Sequence, residues 1–338
     1  MLTVGNLLMW LLFAAVVVIA LVVDFFVMRR QGAHEVSLRE AMIWSSIWIA
    51  VSFVFVGWVW WYLGGAGDDP ALRAVAEDKA LEYITGYLVE KALAVDNIFV
   101  FLMIFTYFAV PAELQKRVLM IGIVGALLLR AVMILIGAWA ISSFHWILYL
   151  FGAFLVFTGI RMWWAAGQEP DLDSNRALKW LRRRMNIAQD YDGEKLFTTR
   201  NGTRTATPLA LVVALIGIID VIFAVDSIPA IFAITTDPFI VLTSNVFAIL
   251  GLRAMYFLLA GMHARFHLLS YGLAIVLLLI GAKMLLVDVY KVPVAWSLIA
   301  TVTVLAVSVL MSLIIPARGT IRGAYPFAAK KPKRGERH

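Results

Sequence analysis

Residues 90–97 read Glu90-Lys-Ala-Leu-Ala-Val-Asp96-Asn97, and residues 220–227 read Asp220-Val-Ile-Phe-Ala-Val-Asp226-Ser227. Each stretch sets two acids at the same spacing, follows the second with a small polar residue, and sits inside a long apolar run. An ionised side chain at the centre of a membrane-spanning helix costs about 2.5 to 3.5 kcal/mol on insertion scales. Four such acids ask for partners or for a purpose. Outward from them, nine apolar stretches reach the length of about 20 residues that a spanning helix needs: 7–28, 41–63, 80–108, 118–141, 144–165, 209–234, 238–262, 266–287 and 294–315. Across 338 residues, 62% are hydrophobic and the mean hydropathy is +0.89, whereas about half of a soluble domain is apolar. The expected fold is all-α, a polytopic membrane protein of about nine transmembrane helices.

The two acidic stretches belong to a longer internal repeat. Arg130-Ala-Val-Met in the fourth segment matches Arg253-Ala-Met-Tyr in the seventh. His145, Tyr149 and Gly159-Ile-Arg-Met162 in the fifth match His267, Tyr271 and Gly281-Ala-Lys-Met284 in the eighth. Each unit has three crossings, so a second copy following the first enters the membrane from the opposite side. Segments 3–5 and 6–8 are therefore expected to be inverted repeats, an architecture frequent among transporters, whose substrate sites lie near the midplane between the repeats. The chain divides accordingly into two N-terminal helices (1–79), a first repeat (80–165), a cytoplasmic linker (166–207), a second repeat (208–288) and a final helix with a basic tail (289–338).

Basic residues set the orientation. Arg29, Arg30 and Arg39, then Lys116 and Arg117, the group from Arg176 to Arg204, Arg265, and the tail from Lys330 to Arg337 fall on one side; Arg73, Lys79 and Lys291 fall on the other. This asymmetry predicts an outside N-terminus and a cytoplasmic C-terminus in the cell membrane. The first segment lacks a basic flank and a small-residue cleavage site, so it reads as a retained helix. The net charge of +7 lies in loops flanking the spans and points to anionic lipid, not to nucleic acid. With no cysteine, thiolate metal sites and cysteine nucleophiles are excluded.

In the linker, Ser174 is placed to cap a short helix whose Ala177, Leu178, Leu181 and Met185 lie opposite Lys179, Arg182 and Arg183; it is either an amphipathic element on the inner leaflet or a solvated basic loop. Residues 196–207, with Asn201-Gly202 at their centre, predict a hairpin with a type I′ turn.

Glu90 lies about ten residues, or about 15 Å, into its segment, and Asp220 is about as deep from the other face. Inverted repeats would gather Glu90, Asp96, Asp220 and Asp226 around one axis. Residues six apart on a regular helix differ by about 120°, so the acids of a pair share a face only if the helix is distorted; otherwise they face two neighbours. Pro229 offers a distortion, since it leaves the Val225 carbonyl without its helical partner. Lys91, Arg130 and Arg253 balance three of the four acids, and Asp24, read as a partly snorkelling residue, adds another negative charge. Unpaired buried carboxylates take up a proton or find a counter-charge. An all-oxygen site suits Mg²⁺, Ca²⁺ or Mn²⁺. Asn97, Ser227 and Asn245 supply neutral oxygens around it, although an interhelical hydrogen bond is the default for Asn245. The alternative is a static network in which the acids pair with Lys91, Arg130 and Arg253. His145 and His267 suit interfacial hydrogen bonding, and Trp58, Trp60, Trp61 and Tyr62 an aromatic belt. No nucleotide loop, hydrolytic triad or cofactor fingerprint is present, so neither enzymatic activity nor an organic cofactor is expected.

These acidic stretches, with His34-Glu-Val-Ser-Leu-Arg-Glu-Ala41 and Asn245-Val-Phe-Ala-Ile-Leu-Gly-Leu-Arg-Ala-Met-Tyr256, resemble the TerC family of integral membrane proteins, particularly its Alx-type manganese exporters. The resemblance implies Mn²⁺ efflux, with Glu90, Asp96, Asp220 and Asp226 as metal ligands. Other members of the family are linked to membrane-protein insertion or metal loading, so a non-transporting scaffold is the rival reading, and a less selective cation/proton exchanger a third. Helices outside the repeat are expected to serve packing or a homodimer contact.

Overall fold

A computed structural model describes residues 3–30, 37–166, 175–200, 203–260, 268–290 and 292–315, the side chains of 27–30 and 200 apart. The sequence expectations for Ser174, Asn201-Gly202, Arg265, His267, Lys291 and the basic tail lie outside these residues, and those for Arg29 and Arg30 rest on side chains outside the description.

Helices dominate: α1 (Leu7–Arg30), α2 (Leu38–Tyr62), α3 (Pro70–Tyr107), α4 (Ala112–Ser143), α5 (Ile147–Ala165), a short α6 (Arg176–Arg184), α7 (Pro208–Phe232), α8 (Pro238–Ile249), α9 (Leu252–Ala260), α10 (Leu269–Leu285) and α11 (Val294–Ile314), with a hairpin of β1 (Phe197–Arg200) and β2 (Thr203–Ala206) before α7. Six helices, α1, α2, α4, α5, α7 and α11, are long and apolar enough to cross a membrane, and α8 with α9 makes a seventh as one span bent by 42°. The two remaining expected spans fall on α3, which carries three central charges, and on α10, an apolar helix of 17 residues.

The helix starts follow local chemistry. Ser37 accepts from the Glu40 backbone N–H at the head of α2, the first half of a capping box. Asp69, Thr207 and Asp237 cap α3, α7 and α8, each followed by a proline at the first helical position, where its missing N–H costs nothing.

The broken helix is not the one the sequence suggested. α7 runs through Pro229 to Phe232, so the helix continues one turn past the proline. The break falls between α8 and α9, at Leu250–Gly251. Gly251 has φ +81°, and a Cβ there would stand 2.6 Å from Cδ1 of Trp48 on α2, so only glycine satisfies both the backbone and the packing.

α5 and α10 approach each other closely at their glycines. A Cβ on Gly152 would lie 3.1 Å from the Gly281 carbonyl, and one on Gly159 3.0 Å from the Ala274 carbonyl. One index rises as the other falls, so the helices are antiparallel. The contacts are also reciprocal: the aligned Tyr149 and Tyr271 each donate to the far end of the other helix, at Asp288 and at the Ala166 carbonyl, the same number of residues downstream of each tyrosine.

Candidate functional site

The largest fully buried side chain among the described residues is that of Arg130, on α4. With 2% of its surface exposed, it makes an ion pair with Glu90 of α3, itself 1% exposed. Its Nη1 also donates to Ser227 Oγ of α7 at 3.1 Å, and its Nη2 lies 3.7 Å from Asp220 Oδ1. Asn245 of α8 donates from Nδ2 to the other Glu90 oxygen at 2.9 Å. One guanidinium thus joins the first acid of each acidic stretch, linking α3, α4 and α7, and α8 joins through Glu90.

The second acids face elsewhere. Asp96 accepts from Ser270 Oγ of α10 at 2.9 Å, and Asp226 accepts from Thr158 Oγ1 of α5 at 3.3 Å. Among the described residues neither makes an ion pair. The 120° offset is resolved by each pair facing two neighbours. The arrangement is crossed along the chain: Asp96 of α3 meets α10, and Asp226 of α7 meets α5.

Contacts between α3 and α7 set the levels. Gly86 packs against Ile231 (3.1 Å to its Cδ1 from an added Cβ), and Arg130 ties Glu90 to Ser227, so the two helices run antiparallel. Glu90 is therefore level with Ser227 and its neighbour Asp226, and Asp220 with Asn97 and its neighbour Asp96. In that register the four acids fall in two tiers, each with one acid from α3 and one from α7, and Arg130 reaches Glu90 in one and Asp220 in the other. They do not converge into a single cluster, and among the described residues no group of three His, Asp or Glu side chains is set to hold a metal ion.

The basic residues divide as follows. Arg253 of α9 forms a two-pronged contact with Asp24 Oδ1 of α1, at 2.5 Å from Nη2 and 3.1 Å from Nε. Asp24 is therefore a paired residue and not a snorkelling one. The bend at Gly251 separates Arg253 from α8, which carries Asn245 to Glu90. Lys91 donates to the Ala248 carbonyl at 3.0 Å, in the last turn of α8, where carbonyls have no helical donor. Three buried polar atoms around Arg130 have no hydrogen-bond partner among the described residues: its own Nε, Asp220 Oδ2 and Asn245 Oδ1. Two are oxygen acceptors. Asn97 is buried on α3, one residue after Asp96.

The sequence reading missed Ser270 and Thr158; the signal was a hydroxyl within an apolar segment, a common feature that gains meaning only once its neighbour is known. Outside the site, His145 and Tyr149 meet Asp288 at an exposed end of α5, in keeping with interfacial hydrogen bonding.

Residues 75–320 match the model of the family described as Integral membrane protein TerC family. The chain is 54% identical over 296 residues to the Escherichia coli K12 protein named "Putative membrane-bound redox modulator Alx", covering 88% of this chain and 91% of that one. It is 50% identical over 310 residues to the Salmonella typhi protein of the same name (92% and 95%). With the Myxococcus xanthus "Uncharacterized membrane protein STKORF319" it shares 43% over 312 residues (92% and 94%). No solved structure matches the chain.

Proposed function

The chain belongs to the TerC family of integral membrane proteins, and on that footing we propose that it is a secondary transporter exporting Mn²⁺ through the carboxylates of its two repeats, with protons as the counter-ion. The observation that carries this reading is the pair Asp96 and Asp226, both half-buried in the helix bundle and, among the described residues, each held by one hydroxyl hydrogen bond and no ion pair. Carboxylates in such surroundings are costly unless a proton or cation joins them.

The proposal includes nine spans, with α3 and α10 crossing alongside the seven that meet the length and apolarity criteria. It makes α3–α5 and α7–α10 inverted repeats, N-terminus outside and C-terminus in the cytoplasm of the cell membrane. The reciprocal α5–α10 contacts and the crossed pairing of Asp96 and Asp226 support the inversion. In this scheme Arg130 is a tethered counter-charge for Glu90 and Asp220 when no metal is bound. A divalent cation entering either tier meets one acid from each repeat, together with Ser227 and Asn245 or Asn97, and displaces the guanidinium. The bundles then rock about the α5–α10 crossing to change the open side. An all-oxygen shell suits Mn²⁺ without separating it from Mg²⁺ or Ca²⁺, so the choice of manganese rests on the resemblance to manganese exporters. The relatives' name, redox modulator, also fits movement of a redox-active cation by a chain that has no cysteine for a dithiol couple.

One observation favours a second reading: the Glu90–Arg130–Asp220 grouping is the pairing that a static scaffold would use. Equilibrium binding separates the two. Titrating the purified protein with Mn²⁺, followed by the loss of the free-ion electron paramagnetic resonance signal, is expected to show saturable binding. Glu90→Gln, Asp96→Asn, Asp220→Asn and Asp226→Asn are each expected to weaken it about tenfold or more, the loss of one charge-assisted contact. No saturable binding, or binding indifferent to all four, supports the scaffold. Competition by Mg²⁺ and Ca²⁺ in the same titration measures selectivity.

A further inference from the structure

The segment between the two halves folds into a plate, and this plate carries charge that its own acids do not answer. Asn175 caps α6, its Oδ1 accepting from the Ala177 and Leu178 backbone N–H groups at 2.9 and 3.2 Å. Leu178 and Leu181 are buried on one face of α6, which packs on α7. Arg176, Trp180, Arg183 and Arg184 recur at three- and four-residue spacing and hold the opposite, exposed face. Beyond α6 the chain joins the hairpin edge: Ala188 N donates to Ala206 O at 2.8 Å, and Ala206 N to Asn186 O at 2.9 Å. Thr207 follows immediately and caps α7, so the plate is coupled to α7 without slack. Its other side is fixed to the corner between α3 and α4 by Tyr191, whose hydroxyl donates to the Phe108 carbonyl at 2.8 Å, and by Arg182, stacked on Tyr107 and Phe108.

Residues 175–207 hold eight basic and three acidic side chains. Glu194 is engaged by Arg117, and Asp192 by Lys195 and Thr198. Arg176, Lys179, Arg183, Arg184 and Arg204 make no ion pair among the described residues. Arg184 and Arg204 line one cleft of about 390 Å³ with Met185, Asn186, Phe197 and Ala206. Arg204 lies 4.5 Å over the Phe197 ring, which orients its guanidinium edge. Trp180 and Phe197 are 55% and 47% exposed, although neither belongs to a spanning helix.

We propose that this cleft binds the phosphate headgroup of an anionic phospholipid in the leaflet that α7 enters. Two guanidinium forks match a phosphodiester, which a planar, always-charged donor set binds in two-pronged fashion. Exposed aromatics at the edge of a bilayer sit at headgroup depth, and a free anion would leave the exposed Trp180 without a role. The plate grips both the α3–α4 corner and α7, so a lipid held here bears on both halves of the molecule. The inference is independent of which ion, if any, the midplane acids carry.

The test is native mass spectrometry of the full chain, delipidated in detergent and incubated with phosphatidylglycerol, with phosphatidylcholine or with inorganic phosphate. Preferential retention of phosphatidylglycerol is expected. The double variant Arg184→Gln, Arg204→Gln should reduce that retention about tenfold or more, two near-surface charges being removed. Phe197→Ser, which leaves the charge intact, should reduce it too and serves as the independent variant if the double change unfolds the plate. Equal retention of the two lipids, or retention unaffected by either variant, overturns the proposal. So does inorganic phosphate that displaces phosphatidylglycerol at equal concentration, which would mark a free-anion pocket, or a soluble polyanionic peptide that does so, which would mark a protein-docking surface.

Discussion

A guanidinium does not give up its proton at any physiological pH, and this decides what Arg130 does between Glu90 and Asp220. Its charge is permanent, so Arg130→Gln leaves two buried carboxylates unanswered. Breaking a buried pair in this way costs about 3 to 5 kcal/mol. The transport reading adds a second expectation: Mn²⁺ should restore part of that loss, by about 2.7 kcal/mol at a hundredfold excess over its dissociation constant. Thermal unfolding of the variant with and without Mn²⁺ measures this, and a static network predicts the loss without the rescue. At this scale the sequence revealed which acids matter, because charge inside an apolar run is visible in one dimension. It did not reveal their partners. The six-residue spacing excluded a shared face on a regular helix but could not say that Asp96 turns to Ser270 and Asp226 to Thr158, since those contacts depend on how α5 and α10 pack. Asp24 was misread for the same reason: its partner Arg253 lies 229 positions away.

At the scale of elements, hydropathy located the helices well, including the short amphipathic α6 and the hairpin, whose register pairs Phe197 with Ala206 and Arg200 with Thr203. The break was misplaced. Proline is the usual cause of a kink, and Pro229 drew attention from Gly251, whose positive φ and contact with Trp48 are tertiary facts. The two positions are expected to respond differently. Gly251→Ala should destabilise the protein by about 1 to 3 kcal/mol, the cost of an unfavourable backbone region, with further loss from the Trp48 clash; Pro229→Ala, in the last turn of α7, should change stability by less than about 1 kcal/mol. Unfolding midpoints of the two variants check the ranking, and equal effects would place the functional bend in α7. The start of α3 was also unreadable, since its first ten residues, Pro70 to Lys79, hold the charges of a helix that continues beyond its apolar run.

At the scale of the whole molecule, the account requires an odd number of crossings in each half. Because the chain has no cysteine, a single introduced one reports its own side of the membrane. Val289→Cys, 82% exposed after α10, is expected to react with an impermeant maleimide added to intact cells. Asp190→Cys, in the plate before α7, is expected to react only after permeabilisation. Reaction from the same side would remove the inverted repeat and with it the shared two-tier site. The central claim is that this site moves Mn²⁺. Its most direct test is Mn²⁺ flux into proteoliposomes under an imposed pH gradient, for the unaltered chain and for Asp96→Asn and Asp226→Asn. The account predicts flux driven by the gradient in the unaltered protein and reduced about tenfold or more in each variant; gradient-independent leakage, or undiminished flux in both variants, would contradict it.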